Sequence, residues 1–305
     1  MEIQIKQNLC PADAQALFNV ASYLEKGSGL VRDFKTAMDL YQIAAELGNV
    51  SALNNIGWMH LNGMGVKKDC VAAMHYFEEA VDKKNTKAMV NLGNLYENLL
   101  SASVPKDLKK AVYYYRMAAQ NGDSDGAFDL ATMYHYGKGV RKNYKKAGIL
   151  FSQLTEDGYV PALFYMGLYL ENGLCFEKNT AAAMQFYELG AAQNDSLCML
   201  QLGAMYANGI GVDIDEKKAL TWYRKAARNG DSLAFVNIGW YYEKGISVKQ
   251  DYRKAREWYQ KGAAVGEPYA MTNLGGLYEE GLGVRQDLKK AQEWYAKAKE
   301  RSTRE

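Results

Sequence analysis

The sequence predicts an all-α protein, an α-solenoid of eight helix–turn–helix repeats with sixteen helices, and three observations carry that prediction. A small residue recurs at Ala16, Ala52, Ala88, Gly126, Ala162, Cys198, Ala234 and Ala270, in steps of 36 with a single step of 38 after Ala88. Within each period the apolar positions have helical spacing. Glycine and Asp or Asn punctuate every period at fixed places. So strict a period marks a stacked-repeat architecture. It overrides the two-domain reading that 305 residues alone would invite.

Each period divides into two helices. With the small residue as position 0, positions 0, 4, 7, 8 and 11 fall on one side at about 100° per residue, which is the core face of a first helix, A. Position 11 is Gly27, Gly63, Gly137, Gly173, Gly209, Gly245 and Gly281, with Leu99 as the exception. Glycine ends a helix there because it takes a left-handed cap without steric cost.

Position 17 is Asp33, Asp69, Asn143, Asn179, Asp215, Asp251 and Asp287, and Asp107 once a two-residue insertion is allowed. Such a residue accepts a backbone N–H and opens a second helix, B. Helix B carries an alanine four residues on, from Ala37 to Ala291, and then an aromatic pair such as Trp222-Tyr223, Trp258-Tyr259 or Trp294-Tyr295. A small pair such as Ala226-Ala227 follows, and a second glycine (Gly48, Gly122, Gly158, Gly230, Gly266) closes the unit.

The repeats fall at 14–49, 50–85, 86–123, 124–159, 160–195, 196–231, 232–267 and 268–301, a single solenoid over 13–301. Residues 1–12 offer Ile3, Ile5 and Leu9 as a cap on the first helix, and 302–305 form a tail. Lys299 replaces the second alanine of the small pair in the last repeat, as suits a terminal helix facing water.

Charge narrows the partners. With 37 basic and 35 acidic residues the chain has no broad attraction for nucleic acid or anionic lipid. The N-terminus lacks a charged-then-apolar leader, and no apolar run reaches the roughly 18 residues of a membrane helix. The expectation is a cytoplasmic protein without membrane insertion, a monomer, with Cys10, Cys70, Cys175 and Cys198 as reduced thiols.

These residues together resemble the Sel-one-like repeat (SLR), a branch of the tetratricopeptide superfamily. Repeat six, CMLQLGAMYANGIGVDIDEKKALTWYRKAARNG, follows that pattern almost throughout, and the resemblance covers about residues 13–301. It implies a right-handed superhelix with helix A on the concave side, and a role as adaptor or scaffold. Some bacterial SLR proteins are immunity partners that cap a secreted toxin, which makes that the alternative role. The cysteine-rich branch, with a disulfide in each repeat, is not matched.

Catalytic signatures are absent from the pattern. His60, His75 and His135 are the only histidines, and His60 stands in a column of tyrosines. No HExxH, paired CxxC or strand-to-helix glycine loop is present, and the recurring GxGV follows a helix as a turn. The acidic residues read as solvent faces. The expectation is therefore no enzyme, no cofactor and no metal, with a hydrolase or small-ligand protein as the distant alternative. The lysine pairs Lys109-Lys110, Lys145-Lys146, Lys217-Lys218 and Lys289-Lys290 read as the solvated face of helix B.

A protein or peptide partner is expected on the concave face. The core positions of helix A centre near 70°, so positions 2, 6 and 10, flanked by 3 and 9, point the opposite way. Position 2 reads Phe18, Asn54, Val90, Phe128, Phe164, Leu200, Val236 and Thr272, more apolar than a water-facing column needs; packing between neighbouring A helices is the other account. Position 6 includes Trp58, Leu168 and Trp240, and large aromatics anchor interfaces at low entropic cost. Position 3 holds Asn19, Asn55, Asn91, Asn237 and Asn273, amides able to bond the backbone of an extended peptide. Repeat three departs most, losing its loop glycines to LLSASVP, Leu99–Pro105.

Overall fold

The computed structural model describes residues 10–29, 31–97, 100 and 103–302. The proposed cap residues Ile3, Ile5 and Leu9 lie outside them, as do Leu99 and the end of the tail. Sixteen α-helices follow a short 3-10 turn at Pro11–Asp13, and no strand occurs among the described residues. The A helices are α1 (Ala14–Lys26), α3 (Val50–Asn62), α5 (Thr86–Glu97), α7 (Ser124–Tyr136), α9 (Val160–Asn172), α11 (Ser196–Asn208), α13 (Ser232–Lys244) and α15 (Pro268–Glu280). The B helices are α2 (Phe34–Glu46), α4 (Cys70–Asp82), α6 (Leu108–Gln120), α8 (Tyr144–Glu156), α10 (Thr180–Ala192), α12 (Glu216–Arg228), α14 (Tyr252–Ala264) and α16 (Leu288–Ser302). This is the all-α repeat architecture that the period predicts.

Local chemistry sets the helix ends. Seven A helices end on a left-handed glycine, from Gly27 at φ 70° to Gly281 at φ 71°. The Asp or Asn opening helix B accepts backbone N–H bonds in all eight repeats, as where Ala182 donates to Asn179 Oδ1 at 2.9 Å. The second glycine of GxG is a packing device. A Cβ on Gly65 or Gly283 would collide with the first residues of the preceding helix B, Phe34 and Tyr252 respectively. The GxGV motif is thus a loop laid tightly over the preceding repeat.

The chain divides into two compact units, residues 1–150 and 151–305. In the first, Ala37, Met38, Tyr41, Ala52, Ile56 and Met59 form a buried core. In the second, Tyr187, Cys198, Leu202, Tyr223, Ala226 and Ile238 form one cluster, and Tyr259, Ala270 and Leu274 centre another. Tyr223 and Tyr259 are buried, as their place in helix B predicts. Glycine at position 5 of helix A makes the close packing possible. An added Cβ on Gly57 would stand 2.7 Å from the Phe77 ring, and Gly93, Gly167, Gly203, Gly239 and Gly275 meet their tyrosines in the same way.

No helix of the described residues is long and apolar enough to cross a membrane. None of the four cysteines forms a disulfide; Cys10 and Cys175 are exposed, whereas Cys198 is buried.

Candidate functional site

Successive A helices contact one another within each unit. Within the first unit α5 packs directly on α7, and within the second α9 packs on α11 and α13 on α15. Position 2 is largely taken up by packing. Phe18 is half-buried with its ring 5.5 Å from Tyr41, and Phe164 lies 6.1 Å from Tyr187. Leu200 and Val236 pack on the second unit's cores, and Val90 is fully covered. Asn54 and Phe128 are half-buried, and Thr272 alone is exposed. Packing on the B helix of the same repeat, at Phe18 and Phe164, and on the buried clusters, at Leu200 and Val236, occupies most of this apolar column.

The asparagine column is also engaged. Asn55 and Asn273 are half-buried, near the Tyr41 and Tyr259 hydroxyls of the preceding repeats. Asn91 Nδ2 donates to Asn54 Oδ1 at 2.8 Å, and Asn54 in turn to Asn55 Oδ1 at 3.3 Å. Asn19 accepts from Gln15 at 2.9 Å on an exposed surface, and Asn237 is half-buried. These amides tie neighbouring repeats together.

Position 6 differs. Trp58 and Leu168 are half-buried, but Trp240 is 43% exposed. Its neighbours at position 6 of the adjoining repeats are Ala204 and Gly276, whereas Trp58 stands between Ser22 and Asn94. The Trp240 ring lies 5.7 Å from that of Tyr241.

Sequence reasoning missed the glutamates of position 9, which it placed on solvent faces. Tyr41 donates its hydroxyl to Glu25 at 2.7 Å, Tyr115 to Glu97 at 3.1 Å, Tyr187 to Glu171 at 2.8 Å, Tyr259 to Glu243 at 2.8 Å and Tyr295 to Glu279 at 2.7 Å. The Glu97 side chain is only 12% exposed. The signal was available: repeats two and four have Phe77 and Phe151 at the tyrosine position and Leu61 and His135 at the glutamate position.

In the first unit Asp129 takes the place of the asparagine. Burial, and then the charges of Glu97, Asp125 and Asp123, push its carboxyl up to about 7. Lys87 bridges Asp123 and Asp125, and Lys138 pairs with Glu97.

The lysine of position 20 is more than a solvated face. Lys110, Lys146, Lys218, Lys254 and Lys290 each hold the ammonium 4.5–5.4 Å from the ring of a position-8 tyrosine on helix A. His60 is half-buried and stacked on Tyr76 at 5.4 Å, in keeping with a packing role. A cavity of about 1020 Å³ lies beside it, between Val66–Val71 and the Ser103–Asp107 segment of the altered loop. Among the described residues no three His, Cys, Asp or Glu side chains cluster as a metal site.

Helix pairs stacked one after another define a helical-repeat protein. The Sel1 repeat matches at 14–49, 50–85, 86–123, 124–159, 160–195, 196–231, 234–267 and 268–302, and the chain belongs to the Sel1-repeat family. Its fold is similar to that of a protective antigen present in uropathogenic Escherichia coli strains, with a TM-score of 0.70 and 33% identity over 93% of this chain. The chain spans 61% of that antigen's length. A Sel1 repeat protein from Oxalobacter formigenes is similar at a TM-score of 0.69 and 28% identity, over 94% of this chain and 83% of the other. An immunity protein from Pseudomonas aeruginosa shares the fold at a TM-score of 0.54 and 19% identity, over 70% of this chain and 81% of that one. No curated protein matches the chain.

Proposed function

We propose that the chain is a non-catalytic scaffold that holds a protein or peptide partner against the A-helix side of its second unit, centred on Trp240. The observation that carries the proposal is the 43% exposure of Trp240 between Ala204 and Gly276. Leaving so large an aromatic in water forgoes hydrophobic stabilisation, and a flat open indole beside small residues is the usual form of a binding hot spot. Membership of a family of protein-binding repeats supports the same reading.

The test begins with capture of the partner on the folded protein, followed by titration of the identified partner with Trp240→Ala. We expect roughly thirtyfold weaker binding, the equivalent of about 2 kcal/mol, with the melting temperature within a few degrees of the parent. Unchanged affinity would place the partner elsewhere. If the partner is a toxin whose activity the chain suppresses, the role is that of an immunity protein; that name belongs to structural relatives at 17–19% identity, a likeness of fold.

A further inference from the structure

The last three B helices concentrate charge of one sign. Helices α12, α14 and α16 carry fourteen Lys and Arg against four Asp and Glu, in a chain that balances 37 against 35. On the A helices of the same repeats, α11, α13 and α15, Lys244 is the one cation beside Glu243, Glu279 and Glu280, and it is paired with Glu243 at 2.6 Å.

The basic side is ordered. Each of the three helices repeats a Lys–Trp–Lys stripe at i, i+4 and i+7, which lies along one flank: Lys218, Trp222, Lys225; Lys254, Trp258, Lys261; Lys290, Trp294, Lys297. The second lysine sits over the indole of its own helix, at 3.8 Å for Lys225, 3.9 Å for Lys261 and 4.4 Å for Lys297. The first lysine sits over a tyrosine of helix A, and Lys218 and Lys254 also reach Asp215 and Asp251 at 3.6 and 3.8 Å, whereas the second lysine of each stripe is held by a ring alone. A ring holds an ammonium without neutralising it, so the rotamer entropy that a lysine loses on binding an anion is already partly spent. Beside Trp222 a groove of about 370 Å³ opens between α10 and α12, lined by Ala191, Ala192, Met199, Lys225 and Arg228, with Glu188 the one carboxylate at its wall.

We propose that this flank of α12, α14 and α16 is a docking surface for an acidic segment of a partner protein, with carboxylates on the row of ring-held lysines and an apolar side chain in the groove over Trp222. Charge complementarity selects the sign. The groove selects protein over nucleic acid: its wall of Ala191, Ala192 and Met199 beside Trp222 takes an apolar side chain, which a phosphate backbone does not carry. The surface lies on the B helices and does not depend on Trp240, which is on helix A.

The probe is a fluorescein-labelled peptide of about sixteen residues built from repeated Glu-Glu-Leu-Glu, followed by anisotropy at roughly 50 and 200 mM sodium chloride. The expected result is binding that weakens with salt and falls at least about tenfold in the triple variant Lys225→Gln/Lys261→Gln/Lys297→Gln, with helicity and melting unchanged. The control triple Lys67→Gln/Lys68→Gln/Lys106→Gln, in the first unit, is expected to bind within about twofold of the parent. If the Gln triple melts early, the single variants Lys225→Gln and Lys261→Gln replace it, each expected to lose about threefold. Absence of binding to the parent, an equal loss in the control, or tighter binding of a single-stranded oligonucleotide of the same charge would each overturn the proposal.

Discussion

Tyr187 on α10 donates its hydroxyl to Glu171 on α9 at 2.8 Å, from a ring that is fully buried. Burial first, and then the charge of Glu171, holds the Tyr187 phenol far above its ordinary range, so the tyrosine stays neutral and the bond stays made. Gln201 of the next repeat donates to the same carboxylate at 3.0 Å.

Removing one partner strands the other. Tyr187→Phe is expected to cost about 1–3 kcal/mol, because a charged acceptor loses a bond in a part-buried site. Pairing it with Glu171→Leu rebuilds the Phe77 and Leu61 combination of repeat two, and the double variant is expected to recover at least half of that loss. Chemical denaturation of the four proteins of the cycle measures the coupling. Strict additivity would show that the bond contributes nothing.

Gly167 faces the same ring at less than van der Waals distance from any added Cβ. Gly167→Ala is therefore expected to destabilise by about 1–3 kcal/mol despite the better helix propensity of alanine, since the ring has no room to retreat. A thermal melt decides it. A more stable variant would mean that the helix pair opens freely.

Asp129 should make stability depend on pH in an unusual direction. Its carboxyl is raised from the ordinary value of 3.8 to about 7 by burial and neighbouring acids. The folded state then holds more protons than the unfolded chain between those values, so stability falls as pH rises through that window. Asp129→Asn restores the asparagine of the other repeats and is expected to gain on the order of 1–3 kcal/mol above pH 7 while matching the parent near pH 4. Equal melting of both proteins at all pH values would remove the assignment.

The thiols should separate by rate. Cys10 and Cys175 are exposed, whereas Cys198 is buried and its thiol is pushed up by that burial and by Asp195. A thiol reagent is expected to modify Cys10 and Cys175 quickly, Cys198 only on unfolding, and all four in denaturant without reductant. Rapid modification of Cys198 in the folded protein would show that α11 is loosely packed.

The sequence by itself determined the repeat, the two helices in each and the chemistry of their ends. Gly173 caps α9 and Asp215 opens α12 through bonds that span only a few residues, so their spacing along the chain is sufficient information. What lies across repeats was decided only by the tertiary structure. Asn91 and Asn54 stand in different columns of different repeats, and only the close approach of neighbouring helices lets Asn91 donate to Asn54 at 2.8 Å. Trp58 and Trp240 occupy one helical position, yet Trp58 is half-buried and Trp240 is 43% exposed. Exposure is a property of what comes within a few ångströms of a side chain.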